Sequence, residues 1–201
     1  PGEFNVYNSL AAVTTCGIIG IPMEVMQDSQ SDMKVRGRLE PVEIPGYARI
    51  FIDYAHNAVS LENVLTTLRQ YRPKRLICLF GCGGNRSAGR RKGMGFVSGR
   101  LADMTVITSD NPRFESPEAI ITGIETGVLE GGGEYVKICS RLDAIRYALE
   151  ISDRDDIVLL AGKGHETYQD IEGRRTQMDE REMIRQILEE KNAGIVRRCD
   201  N

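Results

Sequence analysis

"RLICLFGCGGNR", residues 75 to 86, decides the fold class. An unbroken apolar run from Leu76 to Phe80 passes straight into a glycine-rich turn. A strand with one wet face alternates apolar and polar residues. A continuous run needs cover on both faces, as in a parallel sheet between two helix layers. "DIVLLAG" at 156–162 repeats the pattern, and "ARIFIDYA" at 48–55, "MTVITS" at 104–109 and "YVKIC" at 135–139 are further runs rich in β-branched residues.

Helical periods separate these runs. Leu61, Val64, Leu65 and Leu68 fall at i, i+3, i+4 and i+7, with Ser60 placed as N-cap. Ser116-Pro117-Glu118 supplies an N-cap, a proline at the first helical position and an early acid, ahead of the stripe Ile120, Ile121, Ile124 and Val128. Ser140 with Asp143 and Asp179 with Glu182 open two more, and another helix is expected between Gly93 and Leu101. Strands alternating with helices predict an α/β, doubly wound, mostly parallel (Rossmann-like) sheet with helices on both faces. "TYQDIEGRRTQ" at 167–177 suggests an antiparallel edge hairpin or strand.

Residues 1–40 do not fit that scheme. "FNVYNSLAAVTTCGIIGIP" predicts one amphipathic helix ending at Gly-Ile-Pro, and "VRGRLEPVEIPGYAR" an extended, proline-bearing connection. A lone helix cannot bury its apolar face, so residues 1–40 are expected to be the tail of another domain with its linker, and residues 41–201 the α/β domain.

Composition narrows the function. A net charge of -3 argues against a nucleic-acid partner, and no apolar run is long enough for a membrane span, so a cytoplasmic, monomeric protein is expected. Cys16, Cys78, Cys82, Cys139 and Cys199 are odd in number and irregularly spaced, which disfavours a disulfide framework. With His56 and His165 as the only histidines, no metal site is expected.

Ligands of open α/β sheets bind beyond the carboxyl ends of the strands. There the chain places Asp53-Tyr54-Ala55-His56, Gly81-Cys82-Gly83-Gly84-Asn85-Arg86, Asp110-Asn111-Pro112-Arg113 and Gly162-Lys163-Gly164-His165-Glu166. "GCGGNR" lacks the third glycine of a dinucleotide fingerprint. "AGKGHE" is no Walker A loop, because Ile157 and Gly164 stand where that loop needs glycine and Ser/Thr. The turn after the third strand is more informative. Arg113 offers a planar fork for a carboxylate, Asp110 an anion for an ammonium, and Asn111 suits either, so the turn fits the end of a zwitterionic amino acid. Arg86 adds a second cation nearby. An Asp110–Arg113 ion pair inside the turn is the competing structural reading.

Together "DYAH", "GCGGNR", "SDNPR" and "AGKGHETYQ", in this order, resemble the C-terminal domain of the Mur ligases, ATP-dependent enzymes that add amino acids to the peptidoglycan precursor. "FNVYNSLAA" is similar to the end of their central domain and "GRLE" to the link that follows. The resemblance covers essentially the whole chain, and "DNPR" with "GKGHE" is its most specific part.

In that family Asp-Asn-Pro-Arg marks the members that add meso-diaminopimelate. Lysine-adding relatives usually lack the arginine. The resemblance implies that Arg86, Asp110, Asn111, Pro112, Arg113, Gly162 and Glu166 form the amino-acid site, and that Arg38, Asp53 and His56 touch ATP. It implies no catalytic or metal-binding residue on this chain. The UDP-N-acetylmuramoyl dipeptide, the P-loop, Mg2+ and the modified lysine would belong to the domains not included here, so this chain alone is expected to be inactive and to hold neither ATP nor Mg2+ tightly. A lysine-adding or other Mur-type ligase and a non-catalytic α/β binding module are the alternatives. Two departures stand out: Asn57-Ala58 replaces the family's usual Thr-Pro, and Phe96 replaces a common glutamate.

Overall fold

The computed structural model describes residues 3–31 and 35–193, so Cys199 lies outside the described residues. The chain divides into two compact units, Pro1–Arg36 and Gly37–Asn201. The first holds α1 (Glu3–Ile18) and a helix that the sequence reading lacks, α2 (Met23–Ser31). Pro22 stops the first helix and directly precedes the second, whose first turn carries Glu24.

The second unit runs β1 (Glu40–Val42), β2 (Arg49–Asp53), α3 (Ala58–Arg69), β3 (Leu76–Phe80), α4 (Ala88–Leu101), β4 (Met104–Ile107), α5 (Pro117–Gly131), β5 (Tyr135–Lys137), α6 (Arg141–Ile151), β6 (Ile157–Ala161), β7 (Tyr168–Ile171), β8 (Arg174–Gln177) and α7 (Glu180–Asn192). Six strands form one sheet in the order β1-β2-β6-β3-β4-β5. From β2 to β5 every neighbour is parallel, and β1 joins the β2 edge antiparallel. The expected doubly wound sheet is present. The proline-bearing connection contributes the edge strand β1, where Pro41 is tolerated because an edge need not donate outward. The predicted hairpin forms as β7–β8, but as a two-stranded sheet of its own rather than an edge of the main one.

Strand alternation sends Ile77 and Leu79 of β3 to one face, where they pack with Ala144, Ile145 and Ala148 of α6 and Ile184 and Ile187 of α7. Leu76, Cys78 and Phe80 therefore turn to the other face, with α3, α4 and α5. Every residue of β3 and β6 is buried. The winding explains the layers. Helices α3, α4 and α5 connect strands laid down in one direction across the sheet. Helix α6 carries the chain back, and right-handed crossovers put a returning helix on the opposite face.

Three helix starts match the expected caps: Ser116, Ser140 and Asp179 each accept a backbone N–H. Two do not. Helix α3 is capped by Asn57, whose side chain accepts from Ser60 N at 2.9 Å while Ser60 Oγ accepts from Asn57 N. Ser60 is thus the inner member of a capping box rather than the N-cap. Asn57-Ala58 occupies the cap and first helical position, where Thr-Pro would serve equally well, so this departure leaves the turn intact. Helix α4 begins at Ala88, earlier than expected, and packs closely on α5. A Cβ on Gly95 would lie 2.2 Å from the Ile124 carbonyl oxygen, and one on Gly127 2.0 Å from that of Lys92. Phe96 stays 38% exposed beneath the Arg100 guanidinium, which settles the second departure as a surface contact.

Candidate functional site

Cross-strand register brings the four polar loops together. Asp53, Ala161, Phe80 and Ile107 form one row across β2, β6, β3 and β4, which are consecutive neighbours in the sheet. The loops that follow them therefore leave from the same edge at the same height. "GCGGNR" and "SDNPR" lie side by side: Gly84 N donates to Asn111 O at 2.8 Å, and Arg113 Nη1 donates to Gly84 O at 2.7 Å.

The centre of this cluster is Lys163, which the sequence places on this edge but to which it gives no role. Its side chain is fully buried. Nζ donates to Asn111 Oδ1 at 2.7 Å, to the Tyr168 carbonyl oxygen at 2.5 Å and to Glu166 Oε2 at 3.3 Å, and it ion-pairs with Asp110 Oδ1 at 3.1 Å. Asn111 Nδ2 donates to Glu166 Oε2 at 3.0 Å, and its Oδ1 also accepts from Asp170 N. Asp110 accordingly does not pair with Arg113. The hairpin closes over these groups, with Gln169 Nε2 donating to Asp110 O at 2.7 Å. Gly162 and Gly164 carry φ of 103° and 53°, the left-handed turns that bring Lys163 inward. At Gly164 a Cβ would lie 2.7 Å from that of Tyr54, so no larger residue fits without displacing β2's end.

Arg113 is held differently. Its φ of 53° is unusual for a long side chain, and the hairpin fixes it: Arg113 N donates to Asp170 O and Glu172 N donates to Arg113 O. Among the described residues only Gly84 O takes one of its five N–H donors, which leaves a guanidinium edge open for an anion. Pro112 lies against Gly84 and accepts from Glu115 N. Glu115 in turn accepts from Arg91 at 2.7 and 2.8 Å and from Asn85 N. The hydrogen bond from Arg91 holds its carboxyl below the ordinary range. Arg86 is exposed at the end of the same loop.

Behind the cluster, Arg141 and Glu180 form a buried pair at 2.8 Å. Arg141 also donates to Ala161 O and Ser109 O, tying α6 and α7 to the ends of β6 and β4. The sequence gives no local sign of this link.

On the β2 side the arrangement is open. Tyr54 stands between His56 and His165, with ring centroids 4.9 and 5.0 Å away, and Arg38 lies 5.3 Å from its ring centre. Arg38, His56 and His165 are exposed. Asp53 is not: its two oxygens accept from Leu39 N at 2.7 Å and Ala55 N at 2.8 Å. Burial raises its pKa, against those two bonds. Asp53 therefore anchors the segment that carries Arg38. Tyr54 has its phenol pushed up by burial first and then by Glu166, so the two halves of the edge meet there. Tyr54 and His165 complete a group of which the sequence reading named only Arg38, Asp53 and His56.

Residues 37–164 match the family model "Mur ligase, glutamate ligase domain". The chain belongs to the Mur ligase family. It is 46% identical over 190 residues to the UDP-N-acetylmuramoyl-L-alanyl-D-glutamate--2,6-diaminopimelate ligase of Caldanaerobacter subterraneus subsp. tengcongensis, covering 94% of this chain and 39% of that protein. A solved structure of a ligase of the same name superposes with a TM-score of 0.74 at 33% identity, over 95% of this chain and 39% of the other. Mycobacterium tuberculosis folylpolyglutamate synthase, solved with ADP and AMPPCP, shares the fold with a TM-score of 0.65 at 21% identity, over 80% of this chain and 38% of the other. This Mur ligase chain thus spans about two-fifths of the relatives it matches. No helix among the described residues is long and apolar enough to cross a membrane.

Proposed function

We propose that this chain is the amino-acid-presenting part of an ATP-dependent ligase that joins meso-diaminopimelate to a UDP-N-acetylmuramoyl dipeptide, in the cytoplasm, during peptidoglycan synthesis. The observation that carries the reading is the open guanidinium edge of Arg113 on the same turn as Asp110, whose carboxylate meets that of Glu166 at Lys163. Diaminopimelate differs from lysine by a carboxylate on its far end. An arginine fork meets that carboxylate, and the neighbouring anions meet the ammonium on the same carbon. In this reading Arg86, exposed on the adjoining loop, adds a second cation, and Gly162 and Pro112 touch the ligand. The amine at the other end is thereby held outward, toward the carboxylate it attacks.

ATP fits the open side of the edge, where Arg38 offers a cation and Tyr54, His56 and His165 offer aromatic faces to a nucleotide already held elsewhere. When bound, it supplies the phosphoryl group that activates the acceptor carboxylate. Among the described residues no group of three or more His, Cys, Asp or Glu side chains could hold a metal ion, and in this reading the Mg2+ that accompanies ATP is held by the rest of the enzyme.

The test is the enzyme that contains this chain, supplied with the UDP-sugar dipeptide, ATP and Mg2+, and offered diaminopimelate or lysine in separate assays. Product mass should increase by diaminopimelate, with lysine used at least about a hundredfold less well. Equal use of lysine would sink the substrate assignment.

A further inference from the structure

Lys163 has three protons and four oxygens around them, of which Asp110 Oδ1 is held by charge alone. Asn111 Oδ1, Tyr168 O, Asp110 Oδ1 and Glu166 Oε2 all lie within 3.3 Å of its ammonium, and the residue is wholly buried. It has nothing left to offer a ligand. A buried ammonium persists only when it is paired, so its surroundings and its charge are mutually dependent. Two carboxylates face this one cation, leaving a single negative charge uncompensated inside the pocket. Asn111 is also fixed by it: with Oδ1 facing both Lys163 and Asp170 N, the amide nitrogen must point at Glu166.

We propose that Lys163 is a positioning residue that sets the charge of the amino-acid pocket, cancelling one of the carboxylates of Asp110 and Glu166 so that one negative charge remains for the ligand's ammonium. The proposal rests on the amino-acid-site reading given above. Without Lys163 the pocket would carry two adjacent carboxylates and a free-swinging Asn111. A zwitterion that brings one ammonium could not neutralise both.

Steady-state kinetics of the complete enzyme test it, using Lys163→Met, the double variant Lys163→Met/Asp110→Asn and Arg113→Ala. Lys163→Met should raise the KM for diaminopimelate by about thirtyfold or more while the KM for ATP stays within about threefold. The double variant restores the single negative charge and should recover at least about tenfold of that loss. A lysine that merely cross-links loops predicts the reverse, because the double variant removes still more of the network. Should Lys163→Met fail to fold, Lys163→Gln keeps a hydrogen-bond donor without the charge and carries the same two predictions. A diaminopimelate KM within threefold of the parent, or a double variant no better than the single, overturns the proposal. Arg113→Ala separates the two levels. If its diaminopimelate KM is unchanged, the amino-acid site itself is misplaced. If that KM rises while Lys163→Met has none of the expected effect, only the charge-setting role falls.

Discussion

On the β4 and β6 side of the sheet edge the polar side chains are bonded to one another: Lys163, Asp110, Asn111 and Glu166 share one ammonium, and the β7–β8 hairpin covers them. On the β2 side Arg38, His56 and His165 stand exposed around Tyr54, and the acid that could have joined them, Asp53, is spent on two backbone amides. The contrast separates two kinds of site. An enclosed network tied through one ammonium holds its geometry before a ligand arrives, which suits discrimination between similar amino acids. An open aromatic and cationic face fixes little alone. It suits a ligand that a second domain has already placed.

The largest expected effect concerns that dependence. The 201-residue chain by itself should form no ligated product above a buffer control when given UDP-sugar dipeptide, ATP, Mg2+ and diaminopimelate, since it contains no Gly-x-x-x-x-Gly-Lys-Ser/Thr run. Its ATP affinity by calorimetry should be weaker than about 1 mM. Micromolar binding would mean that the open side is a finished site, and the contrast would fail.

The enclosed side should couple to stability and the open side should not. Asn111→Ala leaves the Asp170 amide and one Lys163 proton without their acceptor, and should cost about 2–4 kcal/mol in denaturant unfolding. His56→Ala removes an exposed ring and should stay within about 0.5 kcal/mol. Similar losses from both would show that the two halves are built alike.

Tyr54 lies at the seam. In the complete enzyme Tyr54→Ala should raise the ATP KM by about three- to tenfold and Tyr54→Phe by less than twofold, if the ring face is what matters. A full loss in Tyr54→Phe would shift the role to the hydroxyl beside Glu166.

The smallest effect is chemical. Burial pushes the Cys78 and Cys82 thiols up to about 12, with Asp110 adding to the shift at Cys82. At pH 8 only about one such thiol in ten thousand is ionised, so alkylation of native protein should mark exposed Cys139 well before Cys82, which it should reach only as the pH nears 12. Rapid labelling of Cys82 at pH 8 would show that the loop above it opens.

Much of this architecture was legible because its signals are local. The apolar runs of β3 and β6 and the caps Ser116, Ser140 and Asp179 depend on neighbours only a few positions away. The N-cap of α3 differs because the buried stripe starts at Leu61 while the helix starts three residues earlier, where none of Ala58, Val59 and Ser60 belongs to that stripe. The gathering of the four loops followed from strand direction alone. What each side chain does there was harder to see, since it rests on distant partners. Asp110 meets Lys163 across 53 positions and Asp53 meets the Leu39 amide across 14, so neither of these contacts could be read from the carboxylate's own motif. The one available sign was a lysine set between two glycines at the end of a fully apolar strand, a place where a solvated charge has no reason to be.

The central claim is that Arg113 reads the carboxylate that distinguishes diaminopimelate from lysine. The direct measurement is the ratio of kcat/KM for diaminopimelate to that for lysine, in the complete enzyme and in its Arg113→Ala variant. Losing a charge-assisted contact of roughly 2–4 kcal/mol should lower that ratio by about 30- to 1,000-fold, with the ATP KM nearly unchanged. A ratio that stays within about twofold of the parent would contradict the assignment of Arg113 to the amino-acid site.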